Sequence, residues 1–171
     1  MLTRCKVIGL VGYSGSGKTH LIENAIKLLK KNFNYQIAVI KNIHEHQIDE
    51  EGKDTFKYLM AGGNYAITKN IYQETTVFIR KPLDLPQIID WISKGPFQLD
   101  LIFIEGFRNL EYPTILCVKD LEDVKSQLTI HVKMISGLIC EKNNVISDNF
   151  NLPFVNIEKQ FQKFLEIFDL K

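Results

Sequence analysis

The sequence predicts an α/β fold: a mainly parallel sheet with helices on both faces. Three observations carry this expectation. Val7–Val11, Ile37–Ile40 and Leu101–Ile104 are short, unbroken apolar runs, the pattern of strands covered on both sides. Stretches of helical period stand between them. A glycine-rich segment, Gly12 to Thr19, joins the first apolar run to the first helical one.

Each element follows from its own pattern. After the glycines, Leu21, Ile22, Ala25, Ile26, Leu28 and Leu29 recur at helical spacing, predicting a helix from about Lys18 to Asn32. The second strand, Ile37–Ile40, leads into a polar segment, Lys41 to Asp54. A short helix follows, with Phe56, Leu59 and Met60 inward, Asp54 at its N-cap and Gly62-Gly63 as its stop. Tyr65–Thr68 and Thr76–Ile79 read as strands, forming an antiparallel excursion near 65–81. Pro86 opens a helix carrying Ile88, Ile89 and Ile92. Beyond Leu101–Ile104, strands are expected at Ile115–Val118, near Met134–Ile139 and at Phe154–Ile157. An amphipathic helix with Phe161, Phe164, Leu165 and Phe168 closes the chain. No linker, repeat or charge block divides it, so a single domain over 1–171 is expected.

Bulk properties narrow the partners. The chain has 171 residues, 45% of them hydrophobic, enough for a real core. With 21 basic and 20 acidic residues, the net charge of +1 offers no broad attraction to nucleic acid or a membrane surface. Cys5, Cys117 and Cys140 are odd in number and widely spaced, which argues against a disulfide framework. The first apolar run is far shorter than the ~20 residues of a bilayer span. A cytoplasmic protein is therefore expected, with neither nucleic acid nor membrane as partner.

The strongest functional signal is Gly12-Tyr13-Ser14-Gly15-Ser16-Gly17-Lys18-Thr19, which fits G-x-x-x-x-G-K-[ST] at every fixed position. Glycines let successive backbone N–H groups turn toward phosphate oxygens. Lys18 supplies a charge to the β- and γ-phosphates, the Thr19 hydroxyl can ligate Mg²⁺, and the following helix aims its positive end at the anion. His20 stands on that helix's first turn and joins the nucleotide-contacting set. A second acid should end another buried strand. Asp100-Leu101-Ile102-Phe103-Ile104-Glu105-Gly106 provides Glu105, the candidate catalytic residue and, with Thr19, the candidate metal ligand.

The polar segment has several readings. Loops past the carboxyl ends of strands border the ligand crevice, so His44 and Asp54 are candidate nucleotide contacts. His44 and His46 also have zinc-like spacing, but no third ligand is fixed. A solvated loop explains them equally simply.

Beyond the cradle, "VIKNIHEH", "EGKDTFKYLMAGG" and "DLIFIEGFR" stand in an order that resembles the molybdopterin-guanine dinucleotide biosynthesis protein B (MobB) family, from about Lys6 to Lys119. The resemblance implies a GTP- and Mg²⁺-binding, usually dimeric protein of molybdenum-cofactor maturation. It would assist the molybdopterin guanylyltransferase and hydrolyse GTP slowly at most. Glu105, Asp54 and His44 match the family's strand-end glutamate, Gly-Lys-Asp aspartate and Lys-x-x-His histidine. The chain departs from the family's richer His/Asp cluster at Asn42, Glu45 and His46.

From residues alone, guanine is not distinguished from adenine. Thr68-Lys69-Asn70 begins like the usual base-reading signature, but no acid follows; Ser147-Asp148 can supply one. Two other functions fit the cradle. One is a small P-loop kinase of a nucleotide or other small molecule, although only Arg80, Lys81 and Lys94 between Tyr72 and Gly95 can build a lid. The other is an interaction module with an idle cradle.

Overall fold

The computed structural model describes residues 5–141 and 150–170. By their contacts the described residues form two compact units, one from those up to Asn42 together with those from Gly95 onward, the other from Ile43–Lys94.

The first unit is built on a five-stranded sheet. β1 (Lys6–Val11) lies at its centre, between β5 (Leu101–Glu105) and β6 (Thr114–Cys117). β2 (Ile37–Lys41) flanks β5 and β7 (Val132–Ser136) flanks β6, giving the order β2-β5-β1-β6-β7. All four pairings are parallel. Such a sheet needs cover on both faces, and alternate residues go to two cores. Ile8, Leu10, Phe103, Ile115, Cys117 and Met134 pack with Leu21, Ile22, Ala25 and Leu29 of α1 (Lys18–Phe33). Phe164, Leu165 and Phe168 of α5 (Phe161–Phe168) join the same core. Leu116, Val118, Val132 and Ile135 turn the other way, toward Val124 of α4 (Leu121–Gln127). Helices therefore cover both faces, as the apolar runs predict.

The second unit holds α2 (Asp54–Met60), the antiparallel pair β3 (Ala66–Lys69) and β4 (Thr75–Phe78), and α3 (Leu85–Ser93). Asp84 caps α3: its side chain accepts from the Gln87 backbone N–H, and the Gln87 side chain accepts from Asp84 N–H, with Pro86 in the first turn.

Four local expectations need correction. Asp54 is the first helical residue of α2, not its cap; Lys53 takes the cap position, with no side-chain hydrogen bond. Met60 faces outward, 58% exposed, and only Leu59 of α2 is buried. Phe154–Ile157 is not a strand: one isolated bridge joins Phe154 to Ile135, and Asn156 then turns the chain. The apolar run Met134–Ile139 divides, its first part in β7 and its end in a 3₁₀ turn, Leu138–Glu141. Helix α4 has no counterpart in the expectations.

Candidate functional site

The cradle Gly12–Gly17 leaves the end of β1 in the first unit. Gly12, Gly15 and Gly17 have φ of +144°, +68° and +98°, angles that side chains other than glycine adopt at a cost. Gly12 is also enclosed: a Cβ there would lie 2.1 Å from the Cys117 carbonyl oxygen and 2.8 Å from Ser16 Oγ. The loop is tied to the segment that follows β7. Leu138 N–H donates to the Ser16 carbonyl at 3.2 Å, and Gly17 packs close to Gly137.

Lys18 Nζ donates to the Gly12 and Tyr13 carbonyl oxygens, at 2.9 and 2.8 Å. An ammonium has three donors, so one remains to meet an anion. Ser16 is 1% exposed, and its hydroxyl has no hydrogen-bond partner among the described residues. A buried hydroxyl without a partner costs about 1–3 kcal/mol, and an oxyanion in the cradle is a natural acceptor for it. Tyr13 and Ser14 are exposed on the outer turn, Tyr13 with its hydroxyl 3.4 Å from Ser126 Oγ. His20 sits on α1, its Nε2 3.1 Å from Asn24 Nδ2. These residues fit an oligophosphate: a glycine-rich turn, the Lys18 charge and the dipole of a 16-residue helix converge on one loop.

Thr19 and Glu105 meet. Glu105, the last residue of β5, is 6% exposed and stands beside Leu10 of β1 and Lys41 of β2 in register. Thr19 Oγ donates to Glu105 Oε1 at 3.4 Å, while Lys41 Nζ lies 3.5 Å from the same oxygen. A hydroxyl and a carboxylate so placed form the oxygen-only donor set that Mg²⁺ prefers. Gly106 follows at φ +83°, where a Cβ would lie 2.8 Å from the Asn42 carbonyl oxygen. Only glycine lets the chain turn away from the sheet there.

Lys41 and Lys119 are site residues that sequence reasoning did not single out. Lys41 ends β2 as Glu105 ends β5, a correspondence visible only once the strands are in register. Lys119 lies just past β6, its Nζ 3.1 Å from where a Cβ on Gly15 would stand.

His44 and Asp54 belong to the second unit. Asp54 is exposed and pairs with Lys57 at 3.4 Å. His46 Nδ1 lies 3.0 Å from the Gln47 carbonyl oxygen, and Thr55 donates to Asp49 at 2.8 Å. Arg80, the one arginine of the supposed lid, stacks its guanidinium 4.7 Å from the Phe56 ring centroid. Ser147-Asp148 lies outside the described residues. Among the described residues no group of three or more His, Cys, Asp or Glu could hold a metal ion, and no helix is long and apolar enough to cross a membrane. Cys5, Cys117 and Cys140 are free thiols. Burial pushes Cys117 up to about 12 and Cys140 to about 11.

Comparison with known proteins speaks to family and fold. Residues 7–141 match the family profile described as molybdopterin guanine dinucleotide synthesis protein B. A Haemophilus influenzae molybdopterin-guanine dinucleotide biosynthesis adapter protein is 34% identical over 123 residues, covering 68% of this chain and 65% of that protein. A Methanocaldococcus jannaschii protein with the same description in provisional form is 36% identical over 135 residues, 76% of this chain. The match spans about half, 54%, of that relative's length. The crystal structure of Bacillus subtilis MobB superposes with a TM-score of 0.72 at 21% identity, covering 95% of this chain and 98% of that one. A MobB homologue from Bacillus stearothermophilus gives 0.67 at 18% identity, covering 94% and 97%. At these identities the two structures speak for the fold.

Proposed function

Since the chain belongs to the molybdopterin guanine dinucleotide synthesis protein B family, we propose that it is a GTP-binding accessory protein of molybdenum-cofactor biosynthesis. It assists the guanylyltransferase that joins GMP to molybdopterin, acts in the cytoplasm and hydrolyses GTP slowly at most. The observation that carries this reading is the meeting of Lys18, Thr19 and Glu105 around one glycine-lined loop. In this reading the amides of Gly15, Gly17, Lys18 and Thr19 and the Lys18 ammonium bind the triphosphate, the Ser16 N–H being used within the loop on the Tyr13 carbonyl at 3.2 Å. The Thr19 hydroxyl and Glu105 hold Mg²⁺, which when bound neutralises phosphate charge. Glu105, already facing the Lys41 ammonium, can also orient a water molecule.

An adapter needs a protein surface. The hairpin of the second unit supplies one, with Ile67 65%, Ile71 88% and Tyr72 77% exposed. We assign this surface to the partner enzyme, in keeping with the adapter description of the Haemophilus influenzae relative. Calorimetry with GTP and ATP, with and without Mg²⁺, tests the binding reading. Magnesium-dependent GTP binding with turnover far below one per second is expected. Rapid phosphate transfer from ATP to a small acceptor would replace this reading with a kinase. Copurification with the guanylyltransferase tests the pathway.

A further inference from the structure

The cradle holds phosphates, but it does not say which base is attached to them. A cavity of about 210 Å³ opens beside its last glycine, lined among others by Gly17, His20, Asn24, Gly137, Asn156 and Glu158. Whole small-molecule sites run from about 300 to 1,000 Å³, so this one has the size of a subsite that takes part of a ligand. Gly17 and His20 stand at the start of α1 and also line the cavity, so the cavity adjoins the cradle. Its wall includes apolar Leu138 and Ile157, surfaces suited to the flat face of a base.

The polar part of the wall is built rather than incidental. Asn156 Oδ1 accepts from the backbone N–H of Glu158 at 3.1 Å and of Lys159 at 3.2 Å. Asn156 N–H in turn donates to Gln160 Oε1 at 3.2 Å, which pins the turn. The Glu158 carboxylate then accepts from the Asn24 side chain, with His20 Nε2 3.8 Å away. Two elements distant in sequence, α1 and the turn before α5, thus hold one carboxylate at the cavity wall.

An ionised carboxylate only accepts hydrogen bonds, through about four lone-pair sites, so Asn24 does not exhaust it. Guanine presents two adjacent donors, N1–H and the N2 amino group, which match two carboxylate oxygens. Adenine places a single donor beside an acceptor on the corresponding edge, which sets a lone pair against a carboxylate oxygen. We infer that Glu158 reads the guanine edge of a guanosine nucleotide whose phosphates lie in the Gly12–Thr19 cradle. The inference rests on the nucleotide-binding reading above and adds to it the specificity-determining residue.

The test is calorimetry of the full chain and of Glu158→Gln with GTP, xanthosine triphosphate and inorganic tripolyphosphate, all with Mg²⁺. A glutamine amide offers one acceptor and one donor, the complement of xanthine N1–H and O2. The variant should lose GTP affinity about tenfold to a hundredfold, gain affinity for xanthosine triphosphate, and bind tripolyphosphate as the parent does. Unchanged preference for GTP in the variant overturns the role of Glu158 and leaves the cradle reading standing. Equal loss of tripolyphosphate binding also overturns it, because the residue would then act through the cradle. If the parent chain binds none of the three, the nucleotide-binding reading falls and this inference falls with it.

Discussion

The Thr19 hydroxyl and the Glu105 carboxylate lie 3.4 Å apart although 86 residues separate them in the chain. Parallel pairing of β1 with β5 produces this relationship, since it brings Leu10 level with Glu105 at the sheet edge where the cradle begins. Removing the hydroxyl should therefore affect metal and little else. Thr19→Ala is expected to reduce the magnesium-dependent part of triphosphate affinity by roughly tenfold, about 1.4 kcal/mol, one charge-assisted hydrogen bond's worth. Titrations with GTP in Mg²⁺ and in EDTA check it; only the first should change.

Lys18→Ala removes a cation that retains a donor for an anion. The expected cost is about 2–3 kcal/mol of triphosphate affinity, with or without metal. Thermal stability should barely move, because among the described residues Lys18 bonds to the loop carbonyls of Gly12 and Tyr13 alone.

Ser16→Ala separates stability from binding. Its hydroxyl is buried and lacks a protein partner among the described residues. Deleting it should leave the unliganded protein as stable as before or more stable by about 1 kcal/mol, while triphosphate binding weakens. Denaturant unfolding paired with calorimetry reads both effects; equal loss in the two would contradict the assignment.

Gly12→Ala is expected to destabilise the fold by more than about 2 kcal/mol. Its Cβ would lie 2.1 Å from a backbone oxygen of Cys117, which cannot rotate away. Gly52→Ala is the control: φ is +93° there too, but nothing lies within 4 Å, so strain of about 1–2 kcal/mol is the whole cost. Melting temperatures should rank accordingly.

The thiols set an alkaline limit. Burial raises Cys117 to about 12 and Cys140 to about 11 from an ordinary 9.0. Between those values the unfolded chain has lost thiol protons that the folded chain keeps, so stability is full below pH 9 and declines as pH rises toward 11–12. Cys140→Ala should flatten part of that decline in pH-dependent unfolding. An unchanged slope would mean that other groups set the limit.

Much of the fold was legible because burial on two faces leaves a mark in one dimension. Leu101–Ile104 has no polar residue, and all of β5 is buried. Helix α4 left no such mark. Val124 is its one buried residue, so Leu121–Gln127 shows no apolar stripe. Phe154–Ile157 has a strand's composition but pairs at one bridge, because Asn156 bends the backbone with its own side chain. In the site, the glycines, Lys18 and Thr19 were readable because phosphate chemistry fixes their spacing. Lys41 beside Glu105 was not, since register between strands is a property of the assembled sheet. Glu158 was hidden for the same reason: its neighbours Asn24 and His20 are more than 130 residues earlier.

The bond from Leu138 N–H to the Ser16 carbonyl means that the cradle is held like a shelf bracketed to the wall behind it. A loop braced in this way loses little disorder when an anion arrives, so affinity is not spent on arranging it. The same brace makes the Leu138 amide a natural reporter. Its exchange with deuterated solvent should slow when the shelf is loaded, letting occupancy be followed at one backbone position without any label.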